Sequence, residues 1–256
     1  HNITNYVTVN DVANILLACG GSPIMSDEPE DVEDITAICG GLNINIGTLN
    51  QRSIQGMFRA GKKAAELGHV LLLDPVGAGA SALRTNTAVE LMQALPFTVI
   101  RGNISEIKTL ALGSGTTKGV DADVADAVTE ANLDAVTAFV KDFARKSRAI
   151  VAVTGAIDLV SDGERCYVIR NGRAEMGKIV ASGSWLCQKS TRRSNVSCVV
   201  RSILLIIKKT RGTDRCADRP PFGLLEVRPF ALLAAIFFTL SRNSIFFSTL
   251  SCTSVT

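Results

Sequence analysis

The chain has 256 residues, 46% of them hydrophobic and 20% charged, with a formal net charge of +3. That length and apolar content suit one large α/β domain, and no coherent basic patch argues for a nucleic-acid surface. The charge is uneven: residues 181–256 hold 11 basic and 3 acidic side chains, residues 1–180 hold 16 and 21.

His1-Asn2-Ile3-Thr4-Asn5 carries no initiator Met, basic n-region or signal-like apolar core, so the chain is expected to begin inside a longer one. Val7 to Cys19 predicts a helix, with Val9, Val12, Ala13, Leu16 and Leu17 on one stripe and Gly20-Gly21 as its stop. Ser22–Met25 follows as an extended piece, because Pro23 disfavours helix at Ser22. Asp27–Asp34 reads as an acidic loop leading into helix. Gly41–Gly47, G-L-N-I-N-I-G, alternates like a strand with one exposed face or end. Ile54–Leu67 is a helix with Met57, Ala60, Ala64 and Leu67 inward, and Gly68 stops it.

Val70–Leu73 is a fully buried strand that delivers Asp74-Pro75 and a loop holding Gly77 and Gly79. A helix over Ala88–Leu95 and a strand over Phe97–Ile100 follow, the strand ending in Arg101-Gly102-Asn103. Ser105 is the expected N-cap of a helix to Leu112, and 113–123 is a polar loop. Asn132–Lys146 is amphipathic, with Leu133, Val136, Phe139, Val140 and Phe143 on one side. Ala149–Val153 is a strand ending in Thr154-Gly155. Leu159–Ser161 and Cys166–Arg170 form a hairpin around Asp162-Gly163. Strands alternating with helices predict a mostly parallel sheet with helices on both faces. Cys19, Cys39 and Cys166 show no metal-ligand spacing and read as reduced, buried thiols of a cytosolic protein.

A parallel sheet puts three polar strand ends on one edge: Asp74, Arg101 with Glu106 beyond it, and Thr154. Ligands of open α/β sheets bind outside the carboxyl ends of the strands. Two carboxylates, an arginine and glycine loops there suit a nucleotide phosphate with Mg²⁺, which takes oxygen ligands and keeps most of its waters. The P-loop pattern is absent, and so is the dinucleotide fingerprint. Each residue also has a plainer reading. Asp74 can start a turn, Arg101 and Glu106 can be a surface ion pair, and Thr154 can cap the next turn.

Five segments carry a resemblance: H-N-I-T-N-Y-V at 1–7, G-G-S-P-I-M at 20–25, D-P-V-G-A-G-A-S at 74–81, R-G-N-I-S-E-I at 101–107 and V-T-G-A-I-D-L-V-S-D-G at 153–163. Together they resemble hydroxyethylthiazole kinase, the thiazole-salvage kinase of thiamine biosynthesis, over residues 1–180. The resemblance implies a ribokinase-like three-layer α/β/α fold with a mostly parallel central sheet. It implies ATP-dependent phosphorylation of a thiazole alcohol, Mg²⁺, a homotrimer and a cytoplasmic location, with neither a nucleic-acid nor a membrane partner. Matched position by position, Asn5 and Met25 would meet the thiazole, Arg101 and Thr154 the ATP, and Asp74 and Glu106 the magnesium. Some twenty residues of the family pattern would precede His1. Another ribokinase-like vitamin kinase and a catalytically defective remnant are the alternatives.

The resemblance fades at Val180. The family's glycine anion hole and catalytic Cys should follow M-G-K-I at 176–179. Here Ala181 replaces one glycine, Gly183 keeps the other, and Ser184 stands at the Cys position. The C-terminal third, 181–256, is aberrant, with six of the ten Phe and four of the seven Cys. An out-of-frame tail is the leading reading. A divergent genuine region and a membrane-associated tail are the others. The apolar run Phe230–Leu240 falls short of the ~20 residues a bilayer needs.

Overall fold

The computed structural model describes residues 1–18, 20–113 and 127–170, and the backbone of a strand at 252–255. β1 (Asn2–Ile3), β2 (Gly41–Asn45), β3 (Val70–Asp74), β4 (Val99–Asn103) and β5 (Ile150–Thr154) pair in chain order, every pair parallel. β6 (Ile157–Ser161), β7 (Cys166–Arg170) and β8 (Cys252–Val255) continue the sheet with antiparallel pairs. The result is one eight-stranded sheet in strict sequence order. The helices are α1 (Val9–Ala18), α2 (Val32–Ile38), α3 (Gln51–Glu66), α4 (Ala82–Ala94), α5 (Ile104–Gly113) and α6 (Leu133–Ser147). This is the mostly parallel α/β architecture that the alternation of elements predicts.

Successive strand residues point to opposite faces, so register decides what each face carries. Leu42 and Ile44 of β2, Leu71 and Leu73 of β3, Ile100 of β4, and Val151 and Val153 of β5 share one face. They form a single core with Met57 and Ala60 of α3, Leu91 of α4, Ile107 of α5, and Val140 and Phe143 of α6. Each fully buried side chain of this size contributes about 1.5–3 kcal/mol, which is why these helices dock although their sequences alone make modest helices.

The opposite face is chemically different. Asn2 pairs with Asn43, Asn45 with Asp74, and Arg101 with Ala152, while Asp158 lies two residues from Val160, the partner of Ala152. Near the C-terminal ends of the parallel strands this face therefore carries a row of polar side chains, all of them buried. A bridge from Asn2 to Met25 places Met25 on the same side, and Val12 and Leu16 of α1 pack against it in a separate small cluster.

Several expectations change. Both faces of β2 are buried, because Asn43 and Asn45 belong to the polar row and not to a solvent face. Leu67 is 45% and Leu17 59% exposed: Leu67 is the residue that caps α3, past its apolar stripe, and Leu17 lies beside the stripe of Val12 and Leu16. α4 begins at Ala82, capped by the Ser81 side chain accepting from the Arg84 N–H. Ser105 lies inside α5; Asn103 and Glu106 cap that helix instead, each side chain accepting from the other's backbone N–H at 2.8 Å. Cys39 is half-buried and Cys166 buried, both as free thiols. The hairpin is as expected, with Gly163 at φ +95° in its turn. Gly113, expected to start the polar loop, still belongs to α5; the rest of that loop, 114–123, and Cys19 lie outside the described residues.

Candidate functional site

Parallel pairing brings the ends of β2, β3, β4 and β5 side by side, and with them Asn45, Asp74, Arg101 and Thr154. Asp74 is fully buried and Arg101 is 7% exposed. Arg101 Nη1 donates to Asp74 Oδ1 at 3.3 Å, an ion pair inside the protein. Asn45 Nδ2 donates to the other oxygen, Asp74 Oδ2. Burial pushes the Asp74 carboxyl up to about 7; the Arg101 charge opposes that rise and the Glu106 charge adds to it. Both carboxylate oxygens accept from groups that can only donate, an arrangement that selects the ionised form. Burial lowers the pKa of Arg101, yet guanidinium stays charged in proteins. Its Nε is buried with no hydrogen-bond partner. A charged donor without a partner, at a sheet edge, is suited to an anionic oxygen.

Glu106 is not the surface partner of Arg101. Its Oε1 accepts from the Gly77 N–H at 2.9 Å and its Oε2 from the Asn103 N–H at 2.8 Å. One carboxylate thus fastens the loop after β3 to the end of β4 and caps α5, where a negative charge also suits the helix dipole. Gly77 has φ +75°, and a Cβ there would sit 2.5 Å from Arg84 Nη1. Arg84 uses that space to donate from Nη2 to the Gly47 carbonyl at 2.9 Å, tying the loop after β2 to the loop after β3.

Thr154, at the end of β5, donates from Oγ1 to the Gly102 carbonyl at 3.5 Å. Asp158 faces the same side and accepts from the Gly155 N–H at 2.9 Å. Burial pushes Asp158 up to about 6, against the Gly155 hydrogen bond and the Arg101 charge. A folded-state pKa above the ordinary 3.8 gives a stabilisation that is full below about 3.8 and is lost as pH rises through about 6. Asp158→Asn keeps an acceptor for Gly155 and removes the ionisation. Its stability relative to the unsubstituted chain is expected to rise between pH 4 and pH 7.5, by up to about 3 kcal/mol. Urea unfolding at the two pH values checks this, and equal shifts at both would contradict it.

Asn5 joins the same network. Its Nδ2 donates to Asn45 Oδ1 at 3.2 Å, and its Oδ1 accepts from the Thr8 backbone N–H at 3.1 Å and from Thr8 Oγ1 at 3.0 Å. Met25 sits beyond Asn2 at the β1 edge, half-buried against Val12 and Leu16. The structure therefore assembles Asn5, Asp74, Arg101, Glu106 and Thr154 around one sheet edge, with Met25 at its flank. Ala181, Gly183 and Ser184 lie outside the described residues. Asn45, Arg84 and Asp158 are the site residues that the sequence reading missed.

Among the described residues no three His, Cys, Asp or Glu side chains form a metal cluster. Mg²⁺ needs fewer, since one or two carboxylates with waters and substrate phosphates hold it. The mutual repulsion of Asp74 and Glu106 is what a cation relieves, and each Glu106 oxygen retains a lone pair. The residues fit such an ion.

The family model described as the hydroxyethylthiazole kinase family matches residues 1–203 of the chain. The hydroxyethylthiazole kinase of Clostridium acetobutylicum is 60% identical over 186 residues, covering 73% of this chain and 68% of that protein. The Clostridium beijerinckii protein of the same name is 50% identical over 185 residues, with 72% and 66% covered. The chain thus spans about two thirds of the length of these curated relatives. The solved structure of hydroxyethylthiazole kinase from Pyrococcus horikoshii OT3 superposes with a TM-score of 0.66 at 26% identity, covering 100% of this chain and 93% of that one.

Proposed function

The chain belongs to the hydroxyethylthiazole kinase family, and from that premise we propose that it transfers the γ-phosphoryl group of ATP to the hydroxyl of 4-methyl-5-(2-hydroxyethyl)thiazole. The observation that carries this reading is the buried Asp74–Arg101 pair at adjacent strand ends, with the Arg101 Nε lacking a partner. Phosphoryl transfer asks a protein mainly for positioning and for neutralising charge on the phosphate oxygens. Arg101 supplies a fixed positive charge, and Asp74 and Asn45 fix its place. Glu106 and Arg84 hold the loops after β2 and β3 at that sheet edge. Asn5 and Met25 occupy the side where the alcohol would lie, and Thr154 the side where the nucleotide would lie. Mg²⁺, held by Asp74 and Glu106, would offset phosphate charge when bound.

The family model runs on to residue 203, across Ala181, Gly183 and Ser184. That favours the kinase over a defective remnant. In this reading Ala181 and Gly183 border the alcohol, and Ser184 stands beside its hydroxyl in place of a thiol. Residues 1–180 make up most of the kinase-like α/β domain, and 181–256 form a tail whose strand β8 pairs with β7 of that domain. Assembly as a homotrimer in the cytoplasm, with neither nucleic-acid nor membrane partners, belongs to the same proposal. No helix among the described residues is long and apolar enough to cross a membrane.

The test is ADP release by the purified, cooperatively folding chain with Mg²⁺ and the thiazole alcohol. Turnover is expected to require both ATP and the alcohol. Pyridoxal and hydroxymethylpyrimidine should be far poorer acceptors. No turnover from folded protein would overturn the proposal, and preference for another acceptor would replace the substrate.

A further inference from the structure

Asn45 closes β2 and is 2% exposed. A carboxamide buried this deeply costs stability unless its groups are paired, and here they are. The Oδ1 accepts from the Gly47 N–H at 2.9 Å and from Asn5 Nδ2 at 3.2 Å, while Nδ2 donates to Asp74 Oδ2. The Gly47 N–H can only donate, so the amide has one orientation and its donor must face Asp74. Gly47 is what lets these groups converge: a Cβ there would lie 3.0 Å from both Asn45 Oδ1 and Asn5 Cβ. The hydrogen bonds therefore run in one direction, from Thr8 to Asn5 to Asn45 to Asp74, and Arg101 meets Asp74 from the other side. Apolar packing does not explain it: Leu42 and Ile44 serve the core from one face of β2, while Asn45 lies on the opposite, polar face beside Asp74.

We propose that Asn45 is a positioning residue whose carboxamide links the alcohol side of the site, at Asn5, to the phosphate side, at Asp74. The proposal rests on the kinase reading above. An alcohol that engages Asn5 shifts the group whose Nδ2 holds Asn45, and Asn45 in turn sets the direction of the Asp74 carboxylate. Each ligand then binds more tightly when the other is present, by the same factor in both directions.

The experiment is calorimetric titration of a non-hydrolysable ATP analogue with Mg²⁺, with and without saturating thiazole alcohol. It compares the unsubstituted chain with Asn45→Leu and Asn45→Asp, and the kinetics of each are measured alongside. Leucine removes every polar partner. Aspartate keeps the shape but sets a carboxylate against Asp74. The unsubstituted chain is expected to bind the analogue about fivefold more tightly when the alcohol is present. Both variants should bring that factor close to one and lower kcat about tenfold or more, with a smaller change in the KM for ATP. Thr8→Val, which loosens Asn5 from outside the buried row, should reduce the factor in part and decides the matter if neither Asn45 variant folds. Two bound ligands without coupling would overturn the proposal. So would a folded Asn45 variant that loses stability but keeps the coupling, since that is the mark of a merely structural residue. A chain that binds neither ligand would overturn the kinase reading and this link with it.

Discussion

Asp74→Leu is expected to destabilise the chain by about 3–5 kcal/mol and to abolish phosphoryl transfer. The stability loss comes mainly from what is left behind. Arg101 is 7% exposed and keeps its charge, and without Asp74 it has no hydrogen-bonded carboxylate. The Asn45 Nδ2 loses its acceptor in the same substitution. Urea unfolding measures the effect, and a double variant identifies its source. Asp74→Leu with Arg101→Met replaces the ion pair by two apolar side chains, a change that buried pairs often tolerate. The double variant should recover most of the stability while its activity stays lost. If it is no more stable than the single variant, the uncompensated charge is not the cause.

Glu106→Gln should be almost as damaging to activity, although the two side chains have the same shape. Both Glu106 oxygens accept from backbone N–H groups, those of Gly77 and Asn103. Glutamine has one oxygen, so its NH₂ group must face one of those two donors. The helix cap or the Gly77 loop is lost whichever way the amide turns. The expected stability loss is about 2 kcal/mol, the scale of a hydrogen bond to a charged acceptor. The expected fall in kcat/KM is at least about 100-fold, because positioning errors near 1 Å have that effect. The Gly77 loop would no longer be fixed against β4. Unfolding and steady-state kinetics in the same buffer test both parts. A variant with near-normal kcat/KM would show that the loop is held by other contacts.

The edge of the sheet was legible because each strand ends in a polar residue that the apolar run before it makes conspicuous. Asp74 after Val70–Leu73 and Arg101 after Phe97–Ile100 are of this kind. Their partnership was not legible. The sequence distance between Arg101 and Glu106 suggests a local pair, while parallel register sets Arg101 beside Asp74. Asn45 was missed for a related reason. Alternation along G-L-N-I-N-I-G reports two faces but not what lies over either of them, and a polar face read as solvent proved to be buried. Arg84 is hard to pick out because α4 lacks a clear apolar stripe at its start, although Ser81 is a good cap. Asp158 escapes a reading that starts the hairpin strand at Leu159, because the strand begins at Ile157 and carries Asp158 inside it.

Strand order in this sheet is identical to strand order in the chain. During synthesis, where the N-terminal part emerges first, β2 through β7 each find their partner already made. Growth through β7 advances in one direction, and each of these strands closes only the hairpin turn or crossover just translated. Each parallel partner nevertheless lies a whole helical crossover away in the chain, and pairing of that non-local kind is slow. The carboxyl end of β3 is open on one side only until β4 arrives, so the partner of Asp74 is the next charged strand end to leave the ribosome.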